Sequence, residues 1–132
     1  MTEIEMIHRT KRFALHVFPL IEALPRNRTG QIIAHQLRRS ALSVGANYRA
    51  ACRGRSKAEF YSKLGVVEEE ADESLYWLEL IVEGGLLSKN KVELLIKEAS
   101  EIVAIIVASR KTISRGLATT PNRKSQIANR KS

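Results

Sequence analysis

The chain has one cysteine, Cys52, so no internal disulfide framework can staple it, and this usage fits a reducing cytoplasm. Three prolines and seven glycines in 132 residues are too few for a loop-rich or low-complexity protein. Aromatic residues make up 5%, which leaves little for a platform that stacks bases. The longest unbroken apolar run is Ile102–Ala108, far short of the roughly 20 residues that span a bilayer, so no membrane partner is expected. No charged start leads into an apolar segment, so no secretory signal is expected either. A glycine-rich phosphate loop, a Cys-His-acid set and a Ser-His-Asp set are all missing. No catalytic residues, enzymatic activity or cofactor are therefore expected. Di-iron bundles need Glu-x-x-His pairs on two helices. Here the spacing occurs once, at Glu5-Met6-Ile7-His8, close to the N-terminus, so no metal site is expected.

What the chain does have is positive charge, unevenly spread. The formal net charge is +8, and from Ser109 to the end there are seven basic residues and no acid, which leaves about +1 on everything before. Ala23–Ala58 holds eight basic residues and no acid, whereas Glu59–Glu83 holds eight acids and a single base, Lys63. A folded body with one basic segment, one acidic segment and a basic tail points to polyanion binding or to pairing between subunits.

Periodicity predicts four helices and no strands, an all-α fold. The first runs from Thr2 to Leu24, with Phe13, Val17, Leu20, Ile21 and Leu24 inward; Pro19 predicts a bend near His16, and Pro25 ends the helix. The short Arg26–Gly30 link favours an antiparallel neighbour. The second starts near Thr29 as N-cap, and Ile33, Leu37, Ala41, Val44 and Tyr48 form an apolar seam. The third opens on a capping box, Ser56-Lys57-Ala58-Glu59. Its seam is Phe60, Leu64, Val67, Ala71, Ser74, Leu78 and Ile81, and Gly84-Gly85 stops it. The fourth begins near Ser88, with Leu95, Ala99, Ile102, Ile106 and Ile113 inward and Gly116 at its end. Between Ile102 and Ala108 it is apolar all round, so it is either the most enclosed helix or faces another subunit. The expected division is a bundle over 1–117 and a disordered basic tail over 118–132. In the tail Asn122-Arg123-Lys124-Ser125 recurs as Asn129-Arg130-Lys131-Ser132. A functional basic tail and a read-through extension of repetitive DNA both account for that repeat.

Two stretches carry a family resemblance. Gln36-Leu37-Arg38-Arg39-Ser40-Ala41, followed by Ser43-Val44-Gly45-Ala46-Asn47-Tyr48, resembles the signature of the bacterial four-helix-bundle proteins encoded in intervening sequences of large-subunit ribosomal RNA genes. Arg55–Phe60 and Glu68–Leu80 resemble that family's third helix. The similarity covers about Thr10 to Arg110. It implies an antiparallel up-down four-helix bundle and a homo-oligomer, a pentamer. A related branch, the accessory variability protein of diversity-generating retroelements, is a basic pentamer that binds nucleic acid and a reverse transcriptase. The resemblance thus adds a reverse transcriptase or another nucleoprotein as an implied partner. Many members carry an acid soon after the Asn-Tyr pair, where this chain has Arg49-Ala50-Ala51. That makes the second helix more basic.

At about 100° per residue, Arg38, Arg49 and Arg53 fall within about 60° of one another, opposite the seam, with His35 and Arg39 flanking. Arginine suits phosphate because its planar fork can hold two oxygens. The candidate contacts to an RNA or DNA phosphate backbone are His35, Arg38, Arg39, Arg49, Arg53, Arg55 and Lys57. The competing reading is a structural homo-oligomer whose arginines pair with the acids of the third helix or of a neighbouring subunit. Ser40, Ser43, Gly45 and Ala46 read as close helix contact, and Asn47 as a buried polar group that fixes register. Trp77 and Tyr76 cannot both enter one seam. Cys52 beside Arg53 reads either as a thiolate or as an inert buried thiol.

Overall fold

A computed structural model describes residues 1–119. It contains four helices: α1, Glu3–Ala23; α2, Arg28–Cys52; α3, Lys57–Glu83; and α4, Lys89–Thr119. Among the described residues there is no strand. The repeat in the tail, and the disorder expected there, lie in residues outside those described.

Each helix runs antiparallel to the next, as the cross-contacts show. Gly45 of α2 approaches Thr10 of α1, and Arg38 faces Glu22. Ser40 and Arg39 meet Ser74 and Glu73 of α3. Arg110 of α4 meets Tyr61 and Glu68. At the α2–α3 turn Gly54 approaches Phe60, and further from the turn Ser40 meets Ser74, so numbers that fall along α2 rise along α3, as they do between α1 and α2; this is the up-down bundle. Its interior is the set of seams that periodicity gives. Phe13, Val17, Leu37, Val44, Leu64, Val67, Leu78, Ile81, Ile102 and Ile106 are all essentially solvent-free. Phe60, Leu95 and Ile113 pack against that core from partly exposed positions.

The helix ends obey capping chemistry, with three departures from expectation. At α2 the N-cap is Asn27, not Thr29: its side-chain oxygen accepts from the Gly30 N–H at 2.8 Å. The box at Ser56 is half as expected. Ser56 accepts from the Glu59 N–H, but Glu59 reaches one residue further back and accepts from the Arg55 N–H at 2.7 Å. A complete capping box stands instead at Thr2 and Glu5, and this hydrogen bonding holds the Glu5 carboxyl below its usual range. Gly84-Gly85 does end α3. Gly85 is left-handed at φ 72°, and the Leu86 and Gly85 N–H groups return to the Ile81 and Val82 carbonyls, the Schellman arrangement. Gly116 does not end α4, which runs on to Thr119. Its φ is not in the left-handed region that a terminating glycine uses. α1 continues unbroken through Pro19.

Three further expectations are settled by packing. The apolar run of α4 is not the most enclosed part of the bundle, because Ala104 and Ala108 face outward while Ile102 and Ile106 face the core. Asn47 does not set register across helices: its amide donates to the Ser43 carbonyl of its own helix at 2.8 Å. The buried cross-link is Ser74 Oγ to Ser40 Oγ at 2.9 Å, with both residues fully enclosed between α2 and α3. Gly45 is a close-contact residue, its absent Cβ position lying 3.3 Å from Thr10 Oγ1. Trp77 packs on the core edge, whereas Tyr76 faces out and meets it edge-on at 5.1 Å.

Candidate nucleic-acid interface

All seven candidate residues, His35, Arg38, Arg39, Arg49, Arg53, Arg55 and Lys57, are exposed. The seam of α2 faces the core, so the opposite face is left to solvent, and the arginines lie there for that reason. They do not form one equivalent row. In the middle of α2, Arg39 is held by Glu73 of α3 at 3.0 Å, and the same Glu73 oxygen also accepts from the Trp77 indole N–H at 3.1 Å. Arg38 stands 3.9 Å from Glu22 of α1, with both side chains well exposed, a pairing worth little in water. For Arg39, then, the alternative reading of pairing with the third helix holds.

The far end of α2 differs. Arg49 lies in its last turn, Arg53 is its C-cap, Arg55 lies in the connecting turn and Lys57 opens α3. Among the described residues none of these four forms an ion pair. Arg49 and Arg53 gain from the negative end of the α2 dipole, a stabilisation of about 0.3–1 kcal/mol each, but that leaves their outer faces free. The same end of the bundle receives the last turns of α4. Arg110 is lodged there, 4.3 Å over the Tyr61 ring and 3.2 Å from Glu68, against Gly65, where a Cβ would come within 3.1 Å of it. Beyond it Lys111 is exposed and forms no ion pair among the described residues. The acid-free basic stretch that starts at Ser109 thus begins inside α4, and its first residues lie against the early turns of α3, at Tyr61 and Glu68. Two of the acids nearby are occupied by caps: Glu5 at Thr2 and Glu59 at Arg55.

Cys52 is half-buried near Tyr48 and Glu3. Burial pushes its thiol up, opposing the thiolate reading. Tyr48 is likewise pushed well up, chiefly by burial. Of the acidic run of α3, Glu68 pairs with Arg110, Glu73 with Arg39, and Glu70 is raised by burial first and by its acidic neighbours second. Among the described residues no group of three or more His, Cys, Asp or Glu is placed to hold a metal ion, and no helix is long and apolar enough to cross a membrane.

A solved protein of unknown function from the S23 ribosomal protein family of Bacteroides thetaiotaomicron superposes on this structure with a TM-score of 0.74 at 28% identity, covering 80% of this chain and 97% of that one. No curated protein matches the sequence. Residues 2–108 match the 23S rRNA-intervening sequence protein family, and the chain, with the antiparallel bundle and the Gln36–Tyr48 signature described above, belongs to that family.

Proposed function

We propose that this protein is a non-enzymatic, oligomeric accessory or scaffold of a nucleoprotein complex that grips the phosphate backbone of RNA or DNA without reading its sequence. The grip is the C-terminal half of the α2 face and the turn after it. One observation carries the proposal: Arg49, Arg53, Arg55 and Lys57 cluster at one end of the bundle, exposed, with no carboxylate engaging them among the described residues. Guanidinium groups without partners suit phosphate oxygens, and such binding weakens steeply with salt. Arg38 and Arg39 contribute less, since Glu22 and Glu73 already compete for them.

Filter binding with duplex DNA and structured RNA at two salt levels tests this. Replacing Arg49, Arg53 and Arg55 together by Ala should lower the slope of log affinity against log salt by about 2–3 and weaken binding at low salt by at least about tenfold. Arg38→Ala with Arg39→Ala should do much less. Truncation after Thr119 leaves α4 whole and measures the share of the remaining basic residues. Unchanged binding by the folded triple variant would sink this site.

The scaffold reading is favoured by a separate observation, the apolar side chains left outside. Ile4, Leu15 and Phe18 of α1 and Leu42 of α2 are all more than 40% exposed, and such side chains gather at subunit contacts. Self-association of the chain would cover them. A sedimentation mass equal to one chain, at the concentrations used for binding, would remove oligomerisation from the proposal.

A further inference from the structure

α1 and α4 are the neighbouring helices that touch least, and between them lies a cleft of about 700 Å³. Its floor is apolar: Phe13, almost wholly buried, and Leu95, partly so. Pro19 and Leu94 also line it, and Leu94 is 78% exposed, the most exposed large apolar side chain among the described residues. Around this floor stand three basic side chains, Arg12, His16 and Lys91, none of which forms an ion pair among the described residues. Glu98, the only carboxylate among the described residues that line the cleft, has both oxygens taken by Arg9, at 2.6 and 2.8 Å.

We propose that this cleft binds a small anionic amphiphile: an apolar body on Phe13, Leu95 and Leu94, with a carboxylate, sulfonate or phosphate head between Arg12 and Lys91. Small-molecule sites combine an apolar lining with a few placed polar groups in this way, and a volume of about 300–1,000 Å³ is usual. The sign of the ligand follows from the lining. A neutral or cationic molecule would lie beside Arg12 and Lys91 without engaging them, whereas an anion gains charge-assisted hydrogen bonds. Its size follows from the groove's length. From Arg9 to Pro19 the wall spans ten residues of helix, about 15 Å at 1.5 Å per residue. At the Arg9 end the Arg9–Glu98–Glu101 clasp ties the two helices together and Met1 also lines the cleft. A cleft this short suits a small molecule rather than a partner helix. None of Arg49, Arg53, Arg55 and Lys57 lines this cleft, and the proposal does not depend on nucleic-acid binding.

The test is titration of the full chain with 8-anilinonaphthalene-1-sulfonate, read by fluorescence. The expected result is a saturable rise with one site per chain, reversed by dodecanoate and not by dodecanol. Arg12→Glu with Lys91→Glu should weaken binding at least tenfold while helicity and Tm hold, because both residues are exposed. Leu94→Ser should weaken it several-fold. Arg53→Glu with Arg55→Glu, neither of which lines the cleft, should leave it unchanged. Non-saturable binding, equal displacement by dodecanol, or full affinity in the folded Arg12→Glu, Lys91→Glu variant would overturn the proposal. So would a loss in the Arg53→Glu, Arg55→Glu variant as large as the loss at the cleft.

Discussion

Gly30→Ala should destabilise this protein although Gly30 lies in a helix, where the change usually helps by about 1 kcal/mol. Gly30 is buried in the first turn of α2, directly under the link from α1. A Cβ at this position would sit 2.1 Å from the Pro25 carbonyl oxygen and 3.2 Å from Asn27 Oδ1. The first contact is about an ångström inside van der Waals range, and it is with backbone, which cannot rotate away. Relief requires the link to move. Moving it strains the Asn27 cap, worth about 1 kcal/mol, and the bond from Gln31 Nε2 to the Pro25 oxygen at 3.0 Å, worth about as much. It also drags Leu24, 3% exposed, against a full core, at about 1–3 kcal/mol. After the propensity gain the net loss should be about 2–4 kcal/mol, or a fall in Tm of roughly 10 °C for a domain of this size. Gly116→Ala is the matched control. It also lies in a helix, but no atom of the described residues stands within 4 Å of its Cβ position, so it should stabilise by up to about 1 kcal/mol. Urea melts followed by circular dichroism measure both, with an unchanged m-value as the check on two-state behaviour. A Gly30→Ala protein as stable as the parent would refute the reasoning, since it would mean the α1–α2 link is loose enough to move at no cost.

Arg9→Ala removes the clasp in which one guanidinium meets Glu98 and Glu101 at 2.6 Å each, bonds that keep Arg9 firmly protonated. The expected loss is about 2 kcal/mol, with hydrogen exchange rising most in α1, and Arg9→Lys should recover only part of it because an ammonium lacks the fork. Glu70→Gln should act in the opposite direction. Glu70 Oε1 is buried without a hydrogen-bond partner among the described residues, and burial raises the carboxyl's pKa. A raised carboxylate pKa favours folding below the unfolded-state value and loses that contribution as pH rises through the folded one. The substitution should therefore stabilise by on the order of 1 kcal/mol at pH 7, and the gain should vanish in thermal melts at acid pH, below the usual carboxylate range.

Periodicity made most of the fold legible. Which face of each helix is buried depends on apolar spacing alone, and Leu37, Val44, Leu64 and Ile102 obey it. The Gly84-Gly85 stop was equally legible, because a left-handed residue followed by a return bond is a local event. What remained hidden depends on how the helices sit against one another. Ser40 and Ser74 each look like a small residue in a seam; only the axial register of α2 on α3 brings their hydroxyls to 2.9 Å. Arg9 and Glu98 are separated by 89 residues, and nothing local marks them as partners. Competing caps are hard to rank for a related reason: Asn27 and Thr29 both suit an N-cap, and only the folded link after Pro25 shows that Asn27 takes the Gly30 N–H.

Register also explains where the candidate site lies. The basic segment and the acidic segment are consecutive, so their helices, α2 and α3, must be antiparallel neighbours, and the simplest outcome would be mutual neutralisation. It does not occur along the whole length, because the charges are unevenly placed within each segment. Antiparallel pairing sets the middle of α2 against the middle of α3, where Glu73 meets Arg39. It sets the last turns of α2 against the first turns of α3, and between Lys57 and Val67 the only acid is Glu59, already spent on the Arg55 N–H. Among the described residues Arg49, Arg53, Arg55 and Lys57 are thus left without an ion-pair partner by the same register that neutralises Arg39. α4 returns to this end and adds Lys111, while Arg110, the basic residue next to it, is absorbed by Glu68. A uniform row of arginines is what the helical wheel of α2 gives in isolation. The fold divides that row into a paired middle and an unpaired end, and the unpaired end is the part with chemistry to offer a phosphate backbone.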